Sequence, residues 1–228
     1  MAKYAVILDL DGTLAYTIDD IHTAIVRMLE RLGYETRTKD EVLSFINNGA
    51  RFLISRSLPK DAQDSEMIVD TALALYEEEY SKCYAEKTHA YDGLEEALSL
   101  LKRETRVKLA VLSNKQDKFV KEIVKKLFPE DLFEMVCGLN KMPPKPDPTS
   151  ILHIAKKLGV KPQNCILVGD SDVDIRTAKN AEITSVGVSW GYRDASVLEE
   201  TGADFVVSTP EDLFQILHEK TERKPKKK

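Results

Sequence analysis

Two aspartates follow an apolar run near the N-terminus, in the stretch AVILDLDGTL. The run VIL is typical of a buried strand, yet Asp9 and Asp11 come directly after it. Carboxylates are rarely buried unless a partner neutralises them. Side chains alternate along a strand, so positions 9 and 11 can direct both carboxylates into one site. Two carboxylates that close repel each other unless a cation lies between them, and Mg²⁺ prefers such hard oxygen ligands.

A simple turn explains the same residues equally well. Asp-Gly commonly follows a strand in turns, and Asp11-Gly12-Thr13 leaves both interpretations open on its own. Polar residues at the ends of the other predicted strands are therefore needed to distinguish a simple turn from a ligand-binding site.

Polar side chains also follow two later apolar runs. Ser113 and Asn114 end the run KLAVL, where they can cap a helix or hold phosphate oxygens beside free N–H groups. Asp170 follows CILVG at a predicted strand end. Asp172 and Asp174 lie just beyond it, in GDSDVD, and one of these two is expected to be the N-cap of the next helix.

The proline-rich loop MPPKPDP carries Lys145 ahead of a predicted helix. A lone loop lysine is usually solvated, but prolines restrict the backbone and can hold a lysine in place as a fixed positive charge. This loop is a candidate anion contact.

A competing motif is GVSWG, which matches G-x-S-x-G and makes Ser189 a candidate nucleophile of an α/β-hydrolase. Asp204 or Asp212 with His218 would keep the required order of an acid followed by a histidine. Very little chain remains to build that site, and no HGGG-type segment precedes it. The motif is therefore a weak alternative.

The elements that must position these residues alternate between strand and helix from about Asp92 onward. The predicted strands are VKLAVLSN, NCILVGD, ITSVGVSW and ADFVVST, and the helices include GLEEALSLLKRE, PTSILHIAKKLG and PEDLFQILHEK. Near-continuous apolar strands joined by helices predict a doubly wound parallel sheet, a Rossmann-like α/β fold. Ligands of such sheets bind beyond the carboxyl ends of the strands, so the polar clusters are expected at one rim.

The residues from about 18 to 82 are predicted to be helical only. Apolar residues recur there at helical spacing, and Thr38 with Glu41 has the signature of a capping box. The simplest organisation is an α/β core of residues 1–15 and 86–228, with a helical cap domain of residues 16–85 inserted after the first strand.

Composition excludes several classes of function. The 228 residues carry a formal net charge of −5, which argues against a general nucleic-acid or membrane surface but not against a small anionic substrate. No apolar run approaches the ~20 residues of a membrane span. Three scattered cysteines lack the spacing of a disulfide framework or zinc site. We therefore expect a cytoplasmic protein, as a monomer or homodimer, whose basic KPKKK end is a solvated tail or, alternatively, binds nucleic acid.

Four motifs, DLDGT, LSN, PPKPDP and GDSDVD, resemble in this order those of the haloacid dehalogenase superfamily. The resemblance covers nearly the whole chain and is greatest for the phosphoglycolate phosphatase branch, through stretches such as YDGLEEALSLLK and VGVSWGY. Two residues depart from that branch. Tyr16 stands where an acidic residue is usual, and Asn47 stands near a usual glycine. Both lie in or beside the helical segment, so they bear on the substrate rather than on the chemistry.

The resemblance implies a phosphatase that hydrolyses a small phosphate monoester, with 2-phosphoglycolate favoured, and that needs Mg²⁺. Asp9 would attack phosphorus and form an aspartyl-phosphate, and Asp11 would act as general acid and base. The Asp9 carboxylate, the Asp11 backbone carbonyl and Asp170 would hold Mg²⁺. Pyrophosphatase or sugar-phosphate mutase activity, both known in the superfamily, remain alternatives.

Other residues receive supporting roles from the same resemblance. Ser113, Asn114 and Lys145 would bind the phosphoryl oxygens. Asp174 and Thr13 would orient these groups without touching the metal.

The start of a predicted helix in NNGARFLISRSL is the expected contact between cap and substrate. Free N–H groups there favour an anion, so Asn48, Gly49 and Arg51 are candidate contacts for a carboxylate. The core groups are expected to be occupied by phosphate and metal, which leaves discrimination between substrates to the cap.

Two alternatives come from other classes of protein. A receiver-type signalling domain also pairs a phosphorylated aspartate with Mg²⁺, but it needs neither an inserted cap nor a carboxylate two residues after its nucleophile. A catalytically silent binding protein would not need the full set of motifs. Steady release of inorganic phosphate from a small ester would exclude both.

Overall fold

The computed structural model of the chain describes residues 4–105 and 107–222, so the KPKKK end lies outside the described residues. The strands are β1 (Ala5–Leu8), β2 (Ala15–Tyr16), β3 (His89–Ala90), β4 (Lys108–Gln116), β5 (Met135–Leu139), β6 (Cys165–Gly169), β7 (Thr184–Val188) and β8 (Phe205–Val207). The helices are α1 (Ile18–Leu32), α2 (Lys39–Phe45), α3 (Ala50–Ser57), α4 (Glu66–Cys83), α5 (Leu94–Thr105), α6 (Asp117–Leu127), α7 (Thr149–Leu158), α8 (Asp172–Asn180), α9 (Ala195–Thr201) and α10 (Pro210–Thr221).

Within the described residues, six strands form one parallel sheet in the order β5-β4-β1-β6-β7-β8. The first strand is central, with Leu8 paired to Val111 on one side and to Val168 on the other. The chain winds outward from β1 in one direction and later in the other, which confirms the predicted doubly wound, Rossmann-like fold. Ligands of such sheets bind at this switch point, beyond the end of the central strand.

Both faces of the central strand are buried. Val6 and Leu8 belong to a hydrophobic cluster shared with residues of α5, α6 and α10, whereas Ala5 and Ile7 belong to a second cluster shared with α7 and α8. Helices on both faces explain why the strands are continuous apolar runs rather than alternating ones. The first polar side chain of this region is therefore pushed to the end of the strand, where Asp9 lies.

The helices α1 to α4 lie between β2 and β3, which pair antiparallel with Tyr16 opposite His89. They bury most of a third hydrophobic cluster, which includes Ile25 and Met28 and is completed by Phe119 of α6. The predicted capping box is present. Thr38 Oγ1 accepts from the Glu41 N–H, and the Thr38 N–H donates to the Glu41 side chain. The prediction of helices in this segment is confirmed. No helix of the described residues is long and apolar enough to cross a membrane.

Strand β5 is absent from the sequence-based prediction. Its sequence MVCGL is short, contains a glycine, and lies at the edge of the sheet, where four of its five residues are only half-buried. An edge strand has one solvated side, so it lacks the continuous apolar run by which the central strands are recognised.

Candidate active site

The end of β1 turns sharply and carries the two aspartates to the rim of the sheet. The Asp9 N–H still donates to the Val168 carbonyl at 2.9 Å, so the ladder with β6 extends to this residue. Gly12 follows with a φ of 85°, and a side chain there would collide with the Asp170 carboxylate and the Tyr192 ring. Glycine thus allows the first loop to lie directly against Asp170.

Three buried carboxylates meet at this rim. Asp9, Asp170 and Asp174 each contribute one oxygen to a group whose members all lie within 4.8 Å of one another. Asp170 accepts hydrogen bonds from Thr13 Oγ1 at 3.1 Å and from the Tyr192 N–H at 2.7 Å. These bonds hold the Asp170 carboxylate in place, with Thr13 directly beside it.

One buried ammonium faces this group. Lys145 Nζ lies 2.8 Å from Asp9 Oδ1 and 2.6 Å from Asp174 Oδ1. Asn114 holds the lysine backbone from both sides, because its Oδ1 accepts from the Lys145 N–H at 2.8 Å and its Nδ2 donates to the Lys145 carbonyl at 2.9 Å. The same Nδ2 donates to the Asn47 carbonyl at 3.0 Å. The expected contact of the Asn114 side chain with phosphate is therefore corrected to a positioning role, since its amide is occupied.

The charges of this cluster do not balance without a further cation. Burial raises the pKa of Asp9 to about 7; the neighbouring Asp174 and Asp11 carboxylates add to the rise, while Lys145 opposes it. Burial also raises the pKa of Asp170 well above its usual value, with Asp174 and Asp9 adding to it. Burial alone would lower the pKa of Lys145, but Asp174 and Asp9 outweigh it and raise that pKa, so the ammonium stays charged.

An unsatisfied oxygen points to the same deficit. Asp9 Oδ1 is buried and, apart from its ion pair with Lys145, has no hydrogen-bond partner among the described residues. Three carboxylates with one ammonium offer a divalent cation hard oxygen donors in an excess of negative charge. The donor set therefore fits Mg²⁺.

The Asp11 side chain points away from the carboxylate group. Its Oδ1 accepts from Thr17 Oγ1 at 2.6 Å and from Lys115 Nζ at 2.8 Å. Ser113 is buried beside it, and Ser113 Oγ accepts from the Lys115 N–H at 3.2 Å. Lys115 is absent from the sequence-based prediction, although its place directly after the Ser113 and Asn114 pair was an available signal.

The start of α8 differs from the sequence-based expectation. Ser171 is the N-cap, and its Oγ accepts from the Asp174 N–H at 3.3 Å. The prediction that Asp172 or Asp174 is the cap is wrong, because both lie in the first turn of the helix. Ser171 Oγ also donates to Asp174 Oδ2 at 2.5 Å, which fixes the carboxylate that pairs with Lys145.

A small cavity opens between this rim and the helices α1 to α4, with about 50 Å³ open to the centres of water-sized molecules. Its lining includes Asp9, Ser113 and Lys145 from the rim and Asn47, Gly49 and Tyr80 from the helical side. A water needs roughly 10–15 Å³ on this measure, so the space suits a compact ligand of a few heavy atoms.

Two of the expected contacts on the helical side lie outside this cavity. Arg51 forms an ion pair with Asp70, and 53% of the Arg51 side chain is exposed. Asn48 is also exposed. Because α3 begins at Ala50, Gly49 and Ala50 face the cavity while the Arg51 side chain lies on the solvent side of the first turn. Arg51 and Asn48 therefore do not line the cavity, whereas Gly49 does.

Two residues after β7 connect the rim to the helical segment, and neither was identified from the sequence. Tyr192 Oη accepts from the Thr17 N–H at 2.7 Å, at the start of α1. The Arg193 guanidinium donates to the Leu43 carbonyl at 3.1 Å and to the Ile46 carbonyl at 3.3 Å, at the end of α2. The guanidinium charge also suits the negative end of that helix.

The contacts do not support the hydrolase alternative, because its serine, histidine and acids each have other partners. Ser189 Oγ donates to the Val207 carbonyl at 3.3 Å. His218 Nε2 lies 3.4 Å from Glu104 Oε2, on α5. Both acids that the alternative offered have other partners, since Asp204 accepts from Ser185 and Asp212 from Thr209.

Comparison with known proteins is consistent with this geometry. The profile of the haloacid dehalogenase-like hydrolase family matches residues 6–188. The phosphoglycolate phosphatase of Psychrobacter arcticus is 34% identical over 198 residues, which cover 84% of this chain and 86% of that protein. The phosphoglycolate phosphatase of Neisseria meningitidis serogroup A is 34% identical over 220 residues, 93% of each chain.

A solved structure gives the same result for the fold. The predicted phosphoglycolate phosphatase of Haemophilus somnus superposes with a TM-score of 0.86 and 26% identity, over 94% of this chain and 97% of that one. With a family profile that spans most of the chain and relatives alike over almost their full length, the protein belongs to the haloacid dehalogenase-like hydrolases, among the phosphatases of that family.

Proposed function

We propose that the protein is a Mg²⁺-dependent phosphatase that hydrolyses a compact phosphate monoester through an aspartyl-phosphate on Asp9. One observation carries this proposal. The buried Asp9 Oδ1, at the end of the central strand, lacks a hydrogen-bond partner among the described residues and faces Lys145 Nζ at 2.8 Å. A carboxylate oxygen with a free lone pair beside a fixed ammonium is suited to attack a phosphorus whose oxygens that ammonium binds.

The metal would be held by the carboxylates of Asp9 and Asp170 and by the backbone carbonyl of Asp11. Asp174 belongs to the same acidic group, but Lys145 and Ser171 occupy its two oxygens. When bound, Mg²⁺ supplies positive charge that offsets the repulsion between a carboxylate nucleophile and a phosphate dianion.

The first chemical step uses two side chains. The Asp9 carboxylate oxygen forms a bond to phosphorus, and the bond from phosphorus to the ester oxygen breaks. Asp11 gives its proton to the departing oxygen, so the product leaves as an alcohol. Ser113 and Lys145 hold the phosphoryl oxygens while negative charge is redistributed over them.

The second step returns the enzyme to its starting state. Asp11, now ionised, takes a proton from a water molecule, whose oxygen attacks the phosphorus of the aspartyl-phosphate. The bond from phosphorus to the Asp9 oxygen breaks, and inorganic phosphate leaves. Splitting one difficult displacement into two easier ones is the advantage of the covalent route.

We also propose that residues 16–85 are a cap domain that closes over the rim, and that residues 1–15 and 86–228 are the catalytic core. A hydrophobic cluster built mainly from α1 to α4 supports this division, and Phe119, Tyr192 and Arg193 of the core contact the helical segment. Closure would exclude water from the cavity and strengthen its electrostatic interactions.

The favoured substrate is 2-phosphoglycolate, the ester in the names of both curated relatives. The cavity between rim and helices suits a compact substrate, since about 50 Å³ of it is open to the centres of water-sized molecules. A larger sugar phosphate would require the helical segment to move away.

The proposal is tested by phosphate release from three compounds, each with and without Mg²⁺: 2-phosphoglycolate, pyrophosphate and glucose 1-phosphate. We expect phosphoglycolate to be hydrolysed with the highest kcat/KM, and EDTA to abolish this activity. Preference for pyrophosphate, or conversion of glucose 1-phosphate to glucose 6-phosphate without phosphate release, would favour the alternative activities instead. Undiminished turnover by an Asp9→Asn variant would contradict the covalent route.

A further inference from the structure

Lys115 brings a second ammonium to the cavity, and the mechanism above gives it no role. Its Nζ lies 2.8 Å from Asp11 Oδ1, and only 9% of its side chain is exposed. The same Nζ lies 5.0 Å from the centre of the Tyr80 ring. Asp11 Oδ1 is its sole hydrogen-bond acceptor among the described residues, although an ammonium can donate three bonds. Lys115 therefore has donor capacity left in a nearly closed space.

Two other polar groups of the cavity lining have no partner in the part of the chain that the structure describes. These are Asn47 Nδ2 and the Tyr80 hydroxyl, both buried. Buried polar groups without a hydrogen bond are uncommon and call for an explanation. Burial raises the pKa of Tyr80 well above its usual value, so its hydroxyl stays protonated and can donate.

The backbone of Asn47 is fixed in an unusual conformation at this position. Its φ is 87°, in the left-handed region that asparagine tolerates better than most residues. Its carbonyl accepts from Asn114 Nδ2 at 3.0 Å, which ties it to the residue that holds Lys145. Asn47 is thus attached directly to the rim rather than being part of a free loop.

The two lysines of the cavity have different carboxylate partners. Lys145 is bound to Asp9 and Asp174, and so belongs to the phosphoryl end. The donors that remain are the Lys115 ammonium, the Asn47 amide and the Tyr80 hydroxyl. A ligand group that satisfies one positive charge and two neutral donors is a carboxylate, which accepts through two oxygens with about four lone-pair sites.

We propose that Lys115, with Asn47 and Tyr80, binds a carboxylate at the end of the substrate opposite its phosphate, an inference that rests on the proposed phosphatase function. The carboxylate replaces Asp11 as the partner of Lys115. Selection for an acidic substrate then depends on a core residue at the end of β4, and not on Arg51. A site built to pair such a group discriminates strongly against analogues that lack it.

The test compares kcat/KM for 2-phosphoglycolate and for 2-hydroxyethyl phosphate, which carries a hydroxymethyl group in place of the carboxylate. Lys115→Met removes the charge and keeps the length of the side chain. We expect it to lower kcat/KM for phosphoglycolate by about 10- to 100-fold, and for hydroxyethyl phosphate by less than about 3-fold. Lys115→Arg keeps the charge and should recover most of the loss.

A matched control is Lys118→Met, because Lys118 is an exposed lysine three residues further on, with its Nζ over the Phe119 ring. It should leave both substrates unaffected. Asn47→Asp provides a second variant with little change in shape, since it places a negative charge beside the carboxylate. It should lower kcat/KM for phosphoglycolate selectively, even where Lys115→Met is too unstable to assay.

Equal losses on both esters in the Lys115 and Asn47 variants would overturn the inference and leave Lys115 as a support for Asp11. A wild type that hydrolyses hydroxyethyl phosphate as well as phosphoglycolate would also overturn it, while the phosphatase function would stand. If the wild type hydrolyses neither ester, the proposed function fails, and calorimetric binding of phosphoglycolate decides the inference. Binding that weakens about 10-fold or more in Lys115→Met supports it, and unchanged binding overturns it.

Discussion

The rim of the sheet and the helical face opposite it are built on different principles. At the rim, most polar side chains have a partner within the protein, as Asp170 has in Thr13 and Tyr192. On the helical face the lining is mainly apolar, and Asn47 and Tyr80 each have a polar atom without a partner among the residues that the structure describes. Chemistry needs groups that are fixed before the substrate arrives, whereas selection needs groups that only the substrate can satisfy. The rim therefore supplies the reacting groups, whereas the groups proposed to select the substrate are those of the helical face together with Lys115.

The largest effect is expected at the rim. Asp9→Asn removes the attacking oxygen and should lower kcat by roughly 10⁴-fold or more, because covalent catalysis has no substitute route of comparable rate. Steady-state phosphate release measures this loss. The matched control is Asp172→Asn, on a half-buried carboxylate that pairs with Arg176 on α8 and should retain nearly full activity. Similar losses in both variants would mean that the acidic region as a whole, rather than Asp9, supports turnover.

Removal of the metal is also expected to abolish activity through the carboxylates of the rim. EDTA should abolish phosphate release, and added Mg²⁺ should restore it, because three buried carboxylates face one ammonium. Asp170→Asn should raise the Mg²⁺ concentration needed for half-maximal activity while the cap contacts stay unchanged. Full activity after exhaustive chelation, verified by elemental analysis, would argue against a metal at this site.

An intermediate effect is expected where the two regions join. Arg193→Met removes the hydrogen bonds to the Leu43 and Ile46 carbonyls and should lower kcat/KM by about 3- to 30-fold, which corresponds to about 0.7–2 kcal/mol for bonds of a side chain that is only half-buried. The Mg²⁺ requirement should not change. Arg176→Met, on an exposed arginine of α8, is the control. A shifted Mg²⁺ requirement in Arg193→Met would show that the two regions are not separable in this way.

The smallest effect is expected on the solvent side of the helical segment. Arg51→Met breaks an exposed ion pair with Asp70, and such pairs contribute about 0–1 kcal/mol. We expect kcat/KM for phosphoglycolate to change by less than about 2-fold, because the side chain does not line the cavity. A 10-fold loss confined to this substrate would place Arg51 in the site after all, and would weaken the role assigned to Lys115.

The rim could be predicted from the sequence because its groups lie in short contiguous motifs at strand ends. Asp9 and Asp170 follow continuous apolar runs, and parallel strands bring such ends to one edge. The parallel sheet with helices on both faces follows from the same runs, whereas the order of the strands comes only from the structure. The edge strand β5 was not predicted, because half-burial removes its apolar pattern, and the two-residue strands β2 and β3 are too short to show a pattern.

The helical face could not be predicted in the same way. Its contacts depend on which side of each helix meets the rim, and that is decided by tertiary packing. Arg51 and Gly49 are two residues apart, yet only Gly49 lines the cavity. Asn114 shows the same limit within the rim, since its amide binds the Lys145 backbone, which lies 31 positions along the chain.

The central claim is a covalent phosphoryl group on Asp9, and trapping it is the most direct test. Asp11→Asn should still transfer phosphoryl from p-nitrophenyl phosphate, whose leaving group needs no proton, but should hydrolyse the intermediate slowly because its general base is gone. Rapid acid quench followed by peptide mass spectrometry measures the outcome. We predict a burst of about one nitrophenolate per enzyme and a phosphoryl group on the peptide that contains Asp9. A burst without that label, or a label on Ser113, would contradict the account.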